Sequence, residues 1–147
     1  MVNFSRNLMI NRLFGMSRAE AAGRNYCYLF TRLLPITPEE VGTQRDPQVQ
    51  MAYHSSEMFY TFASLRENVP PARPWTAEDF DLAQTISSYW ANFVATGDPN
   101  GEGLPYWPQA KDDYGWMDLG DTPKGGQGLN GKLEELIERF VRKEYGV

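Results

Sequence analysis

Apolar residues recur at spacings of three and four over two stretches of the chain, and each stretch carries its own stop signals. Phe80, Ala83, Ile86, Trp90, Phe93 and Val94 form one stripe. The spacing predicts an amphipathic helix. Thr76 stands where a cap belongs and Asp79 at the third helical position, while Gly97-Asp98-Pro99-Asn100-Gly101 ends the pattern abruptly. Leu133, Leu136, Ile137, Phe140 and Val141 predict a terminal helix, with Arg142 and Lys143 placed to complement its dipole as a solvated end. Tyr26-Cys27-Tyr28-Leu29-Phe30 instead reads as a buried strand within Asn25 to Arg32, and Gly115 to Leu119 as a second, short one.

The remaining segments are less periodic. Ser17-x-x-Glu20 before Ala21 and Ala22 reads as a capping box, predicting a short helix from Ser17 to a left-handed stop at Gly23. Leu34 to Met51, with Pro35, Pro38 and Pro47, predicts irregular exposed chain. Glu57 to Phe62 predicts a short helical turn, and Asn68 to Pro74 a proline-rich connector.

Composition adds that 147 residues with 4 Trp, 8 Tyr and 8 Phe can bury a core. A net charge of −5 argues against a phosphate-backbone partner. The charge is uneven: residues 1 to 33 carry Arg6, Arg12, Arg18, Arg24 and Arg32 against Glu20 alone, a formal +4 that leaves −9 for the rest. Such a stretch can be a transit peptide, although a family resemblance carried by later motifs begins inside it and implies mature sequence. Asn11 and Arg12 interrupt Leu8-Met9-Ile10 before Leu13-Phe14, so the sequence predicts no membrane span or secretory core there. Cys27 is the sole cysteine and is expected to be a core thiol.

The chain's one histidine, His54, lies in Tyr53-His54-Ser55-Ser56-Glu57, ahead of Tyr89-Trp90-Ala91-Asn92-Phe93 and Thr96-Gly97-Asp98-Pro99-Asn100. Histidine suits proton transfer at neutral pH, but it needs a nucleophile to serve. These blocks, in this order, resemble the C-terminal portion of the type-B carboxylesterase and cholinesterase-like family of α/β-hydrolases, from about Leu8 to the last helix. In that family the catalytic histidine sits in an aromatic-His-small-x-acidic motif, which residues 53 to 57 match. The family more often has glycine where this chain has Met51.

The resemblance implies that residues 1–147 are the C-terminal portion of one α/β-hydrolase domain, an incomplete fold with the last sheet strands, the histidine loop, a long helix and a terminal helix. It implies His54 as general base and acid, with Glu57 orienting the loop by accepting backbone N–H groups. A serine elbow of the Gly-x-Ser-x-Gly kind is absent, and Gly15-Met16-Ser17-Arg18-Ala19 is the nearest imitation. The implied protein is thus a serine-type carboxylic-ester hydrolase whose nucleophile and oxyanion loop lie in a missing N-terminal half, leaving this chain inactive alone. The implied partners are an ester substrate and that missing half, with no cofactor and no metal. The alternatives are a non-catalytic cholinesterase-like interaction module or a truncated, inactive product.

Three lettered patterns carry less. Asp98-x-Asn100-x-Glu102-Gly103 begins like a calcium loop, but Gln109 stands where a bidentate glutamate is required. Gly126-x-Gly128-x-x-Gly131 imitates a dinucleotide fingerprint, without room for the second strand before Val147. Asn3-Phe4-Ser5 is a formal glycosylation sequon.

Overall fold

The computed structural model describes residues 2–68, 73–111, 113–129 and 131–146, and within the first helix the side chains of 7–17. The chain divides into two compact units, one of residues 1–29, 106–118 and 124–147, the other of residues 30–105 and 119–123. A three-stranded sheet of order β1-β2-β3 is built from Tyr28–Phe30, Trp116–Leu119 and Lys124–Gly126. Residues 69–72 of the expected connector lie outside the described residues.

In the first unit, α1 runs unbroken from Val2 to Ala22, where the sequence predicted a helix only from Ser17. Ser17 is no cap: its hydroxyl donates to the Phe14 carbonyl at 2.9 Å, one turn back in mid-helix. Gly15, which costs an isolated helix about 1 kcal/mol, is kept here by packing. A methyl group on it would lie 3.2 Å from Cys27 Sγ, so the glycine lets the strand approach the helix closely.

Helix α5, Lys132–Tyr145, packs on α1 through Ile137 and Val141 against Met9 and Leu13. Leu133, Leu136 and Phe140 of the predicted stripe stay more than half exposed, because α1 covers one line of the helix and no more. Arg142 is not simply a solvated end, since its Nε donates to Glu138 at 2.8 Å and a terminal nitrogen to Tyr114 Oη at 3.1 Å. Arg12, 3% exposed, joins both helices to the intervening loops. It donates to Glu134 at 2.9 Å, to the Gly128 carbonyl at 3.1 Å and to the Tyr114 carbonyl at 3.3 Å.

The β2 and β3 strands pair antiparallel with Trp116 opposite Gly126, Met117 opposite Gly125 and Asp118 opposite Lys124. No strand was predicted at Lys124–Gly126, because two glycines carry no strand signature. Gly126 is required there, since the Trp116 indole occupies the space a side chain would fill. Cys27 O accepts from Met117 N at 2.9 Å and from the Trp107 indole at 3.1 Å. The regular part of the first strand is shorter than the predicted Asn25 to Arg32, and Tyr28 in it is 36% exposed rather than buried.

In the second unit, the stretch read as irregular and exposed contains a 3-10 turn at Pro38–Glu40 and the short helix α2 at Pro47–Gln50, with Leu34 and Asp46 buried. Asp46 caps α2, accepting from Gln48 N at 2.8 Å and from Gly42 N at 2.7 Å. Helix α3, Met58–Thr61, and helix α4, Ala77–Thr96, pack together. Thr76 and Asp79 form the predicted capping box, and Gly97 ends α4 in the left-handed region at φ 73°.

The buried line of α4 is Asp79, Leu82, Ala83, Ile86 and Tyr89. Ala83 and Ile86 match the predicted stripe, whereas Phe80, Phe93 and Val94 are exposed. The helix is rotated because Asp79, a polar residue that an apolar pattern omits, has its partners on the inside. After α4, Asp98 Oδ1 accepts from Asn100 N at 3.0 Å and Nδ2 at 2.9 Å, so the calcium-like letters close on themselves as a turn. Among the described residues, no group of three or more His, Cys, Asp or Glu is arranged to hold a metal, and no helix is long and apolar enough to cross a membrane.

Candidate active site

His54 lies in the turn between α2 and α3, with an exposed ring. Its Nδ1 is 2.6 Å from Ser55 Oγ, and the direction of that hydrogen bond follows the ring tautomer. No other hydrogen bond of the imidazole occurs among the described residues. The turn beneath it is fixed. Ser56, with no exposed surface, uses its hydroxyl to donate to the Tyr53 carbonyl at 2.6 Å, and its amide donates to the same oxygen at 3.1 Å.

The backbone entering the turn is strained. Met51, at the end of α2, has φ 55° and ψ −159°, a region that suits glycine and not a side chain. This is the position where the resembled family more often carries glycine. Ser55 also takes a positive φ, 69°, one residue past the histidine. Two left-handed residues around His54 bend the chain sharply enough for the ring to project.

Glu57 caps the start of α3, but through its carbonyl, which accepts from Tyr60 N at 3.0 Å and Thr61 N at 2.9 Å. Its carboxylate accepts no hydrogen bond among the described residues, so the expected contact to backbone N–H groups is not formed here.

A second polar assembly, which sequence reasoning took only for a helix cap, lies behind α3. Asp79 has no exposed surface and accepts from Tyr60 Oη at 2.7 Å and from Arg32 Nε and a terminal nitrogen at 3.0 and 2.7 Å. The Thr76 amide donates to its other oxygen at 3.0 Å. Burial alone would raise the Asp79 pKa, but the hydrogen bonds from the Thr76 backbone, Tyr60 and Arg32 outweigh it and hold the carboxyl below its usual value. Burial, then the bond to Asp79, pushes the Tyr60 phenol well up. Arg32 also pairs with the exposed Asp121 at 2.7 Å.

Neither of the other sequence candidates joins His54. Ser17 is in mid-helix and Cys27 is in the other unit, where burial raises its thiol pKa despite the nearby Arg12. A thiol so shifted is a poor nucleophile, in keeping with a core role. The residue missed by the sequence is Arg73. It is 9% exposed, donates to the Pro35 carbonyl at 3.2 Å, and places its guanidinium carbon 6.0 Å from the Tyr53 ring centroid. Nothing in Ala72-Arg73-Pro74 announces this. The arrangement as a whole offers one projecting proton acceptor on a braced turn.

Residues 8–136 match the sequence profile of the carboxylesterase family. Carboxylesterase 1C of Rattus norvegicus is 33% identical over 122 residues, covering 82% of this chain and 20% of that protein. Carboxylesterase 1D of Mus musculus is 29% identical over 148 residues, covering 95% of this chain and 24% of that protein. Among solved structures, an esterase from Clostridium hathewayi superposes with a TM-score of 0.61 at 18% identity, over 97% of this chain and 30% of that one. A second solved esterase, PNB esterase, gives a TM-score of 0.55 at 21% identity over 78% of this chain and 21% of that one. The chain therefore spans about a fifth to a quarter of the length of these curated relatives, and its fold is part of an α/β-hydrolase.

Proposed function

The chain belongs to the carboxylesterase family, and from that premise we propose that it supplies the histidine of a serine-type carboxylic-ester hydrolase. The observation that carries the reading is His54 itself, the sole imidazole, projecting from a turn that the buried Ser56 closes onto the Tyr53 carbonyl. In this reading His54 Nε2 takes the proton from a serine as it attacks the ester carbonyl. The imidazolium then returns the proton to the departing alcohol. Serine, triad acid and oxyanion donors come from sequence that the relatives carry outside the matched portion.

The contact at Nδ1 supports this division of labour. A hydroxyl such as Ser55 Oγ can hold the ring, but it lacks the charge with which a triad carboxylate stabilises imidazolium. In the assembled enzyme a carboxylate replaces or joins it. Glu57, three residues on and at the α3 N-terminus, is proposed to brace the loop only in the assembled enzyme, where its carboxylate would take up the backbone N–H contacts it lacks here, rather than to serve as that acid.

The test has two arms. Alone, the chain should hydrolyse a short activated ester no faster than His54→Ala or Ser55→Ala, with no burst of acyl-enzyme. Joined to the upstream part of a related carboxylesterase, it should give serine-dependent hydrolysis that His54→Ala lowers by about 10⁴ or more. Glu57→Gln should cost about 10-fold to 100-fold, by analogy with other supporting residues. A stoichiometric burst from the isolated chain, or a chimera indifferent to His54→Ala, overturns the proposal.

A further inference from the structure

Taking His54 as the base, we infer that Arg73 is its positioning residue, clamping Tyr53 and thereby fixing the backbone that aims the imidazole. The exposed ring hydrogen-bonds only its neighbour Ser55 among the described residues, so the chain at residues 53 to 56 carries most of the task of directing it. The bonds from Ser56 to the Tyr53 carbonyl shape that turn from within, and the burial of Ser56 seats its far end, but neither holds the Tyr53 side of it. A contact to a distant segment is what holds that side.

Tyr53 makes that contact. Arg73, twenty residues along, lies over its ring at 6.0 Å and directs a terminal nitrogen to its hydroxyl at a long 3.4 Å. The other terminal nitrogen is 3.2 Å from the Pro35 carbonyl, so the clamp is itself anchored to a third segment. A guanidinium can do all three at once, because its delocalised charge approaches the ring from the hydroxyl side while its fork serves two acceptors. Lysine, a single flexible point charge, cannot.

A chain with one histidine gives one set of imidazole signals, which makes the inference directly measurable by nitrogen-15 and proton NMR of the 147-residue chain. In the parent, above the imidazole titration, the two ring nitrogens should show the separated shifts of one dominant tautomer. Arg73→Leu should collapse that separation towards the averaged pattern of free histidine, and Arg73→Lys should not restore it. Tyr53→Phe, which keeps the ring and loses the hydroxyl, should have a partial effect and serves as the readout if Arg73→Leu fails to fold by circular dichroism. Arg45→Leu, removing a surface arginine paired with Glu40, controls for lost charge and should change nothing.

In the chimera, Arg73→Leu should lower kcat about 10-fold to 100-fold with KM held, by analogy with residues that orient a reacting group. Unchanged imidazole signals in both folded Arg73→Leu and Tyr53→Phe, or a parent already averaged, overturn the inference. Should the NMR effect appear while His54→Ala leaves the chimera active, the catalytic reading of His54 falls and the clamp stands. Should His54→Ala abolish activity while Arg73→Leu changes neither signals nor kcat, the clamp alone falls.

Discussion

Met51 offers a measurement of the strain stored beside His54. Its φ of 55° and ψ of −159° lie in a region open essentially to glycine, where a side chain costs about 1–3 kcal/mol. Comparing Met51→Gly with Met51→Ala isolates that cost, because both delete the same side chain, which is 60% exposed, and only alanine keeps the clash. Glycine gives back about 0.4–1 kcal/mol through its more disordered unfolded chain. The glycine variant should therefore be more stable than the alanine variant by about 1–2 kcal/mol. Urea unfolding followed by tryptophan fluorescence measures the difference as a higher midpoint at unchanged slope. In a thermal scan it corresponds to roughly 3–6 °C. Equal midpoints, or a more stable alanine variant, would refute the argument that the backbone at this position is strained.

The remaining predictions concern the buried polar groups. Asp79→Asn should destabilise the chain by about 3–5 kcal/mol in urea, because Arg32 and Tyr60 lose a buried charge partner. Since the Asp79 pKa is lowered on folding, its contribution is present above about pH 4, its unfolded value, and is lost as pH falls through the folded one. The urea midpoint of the parent should thus fall further between neutral and acid pH than that of Asp79→Asn; parallel curves would show that the carboxylate is not specially held. Burial pushes Tyr89, whose hydroxyl donates to the Pro105 carbonyl at 2.6 Å, up to about 12. Its contribution is complete below about pH 10 and lost as pH rises to 12, so Tyr89→Phe should remove part of the late phenolate absorbance. Titration of every tyrosine near pH 10 in folded protein would contradict this.

How much of this was legible depended on whether the deciding contacts are local. The start and stop of α4 are written in Thr76, Asp79 and Gly97, each acting within one helical turn, and they were readable. The phase of α4 was not, because it is set by Arg32, 47 residues away, pairing with Asp79. Helix α1 was expected to start only at Ser17 because Ser17 and Glu20 have the spacing of a capping box, whereas the turns before it are held by Arg12 and Gly15 through partners outside the helix. At the candidate site, the resemblance of residues 53 to 57 to a family motif picked out His54. Its support by Ser56 and Arg73 leaves no periodic trace, since hydrogen bonds to carbonyl oxygens can be made from almost any sequence.

The long reach of Arg12 bears on how the chain is made as well as how it is held. Arg12 and Glu134 are 122 residues apart, and the unit they close takes its pieces from both ends of the chain. During synthesis at about 5–20 residues per second, the arginine is added to the chain roughly 6–24 s before its carboxylate exists. Most of the second unit, residues 30–105, is continuous and emerges within that interval. Helix α1, made before α5, is thus among the last parts of its unit to be sealed, with Met9 and Leu13 lacking their α5 partners until that helix arrives. A newly made chain presents that apolar line to chaperones before it can present it to itself.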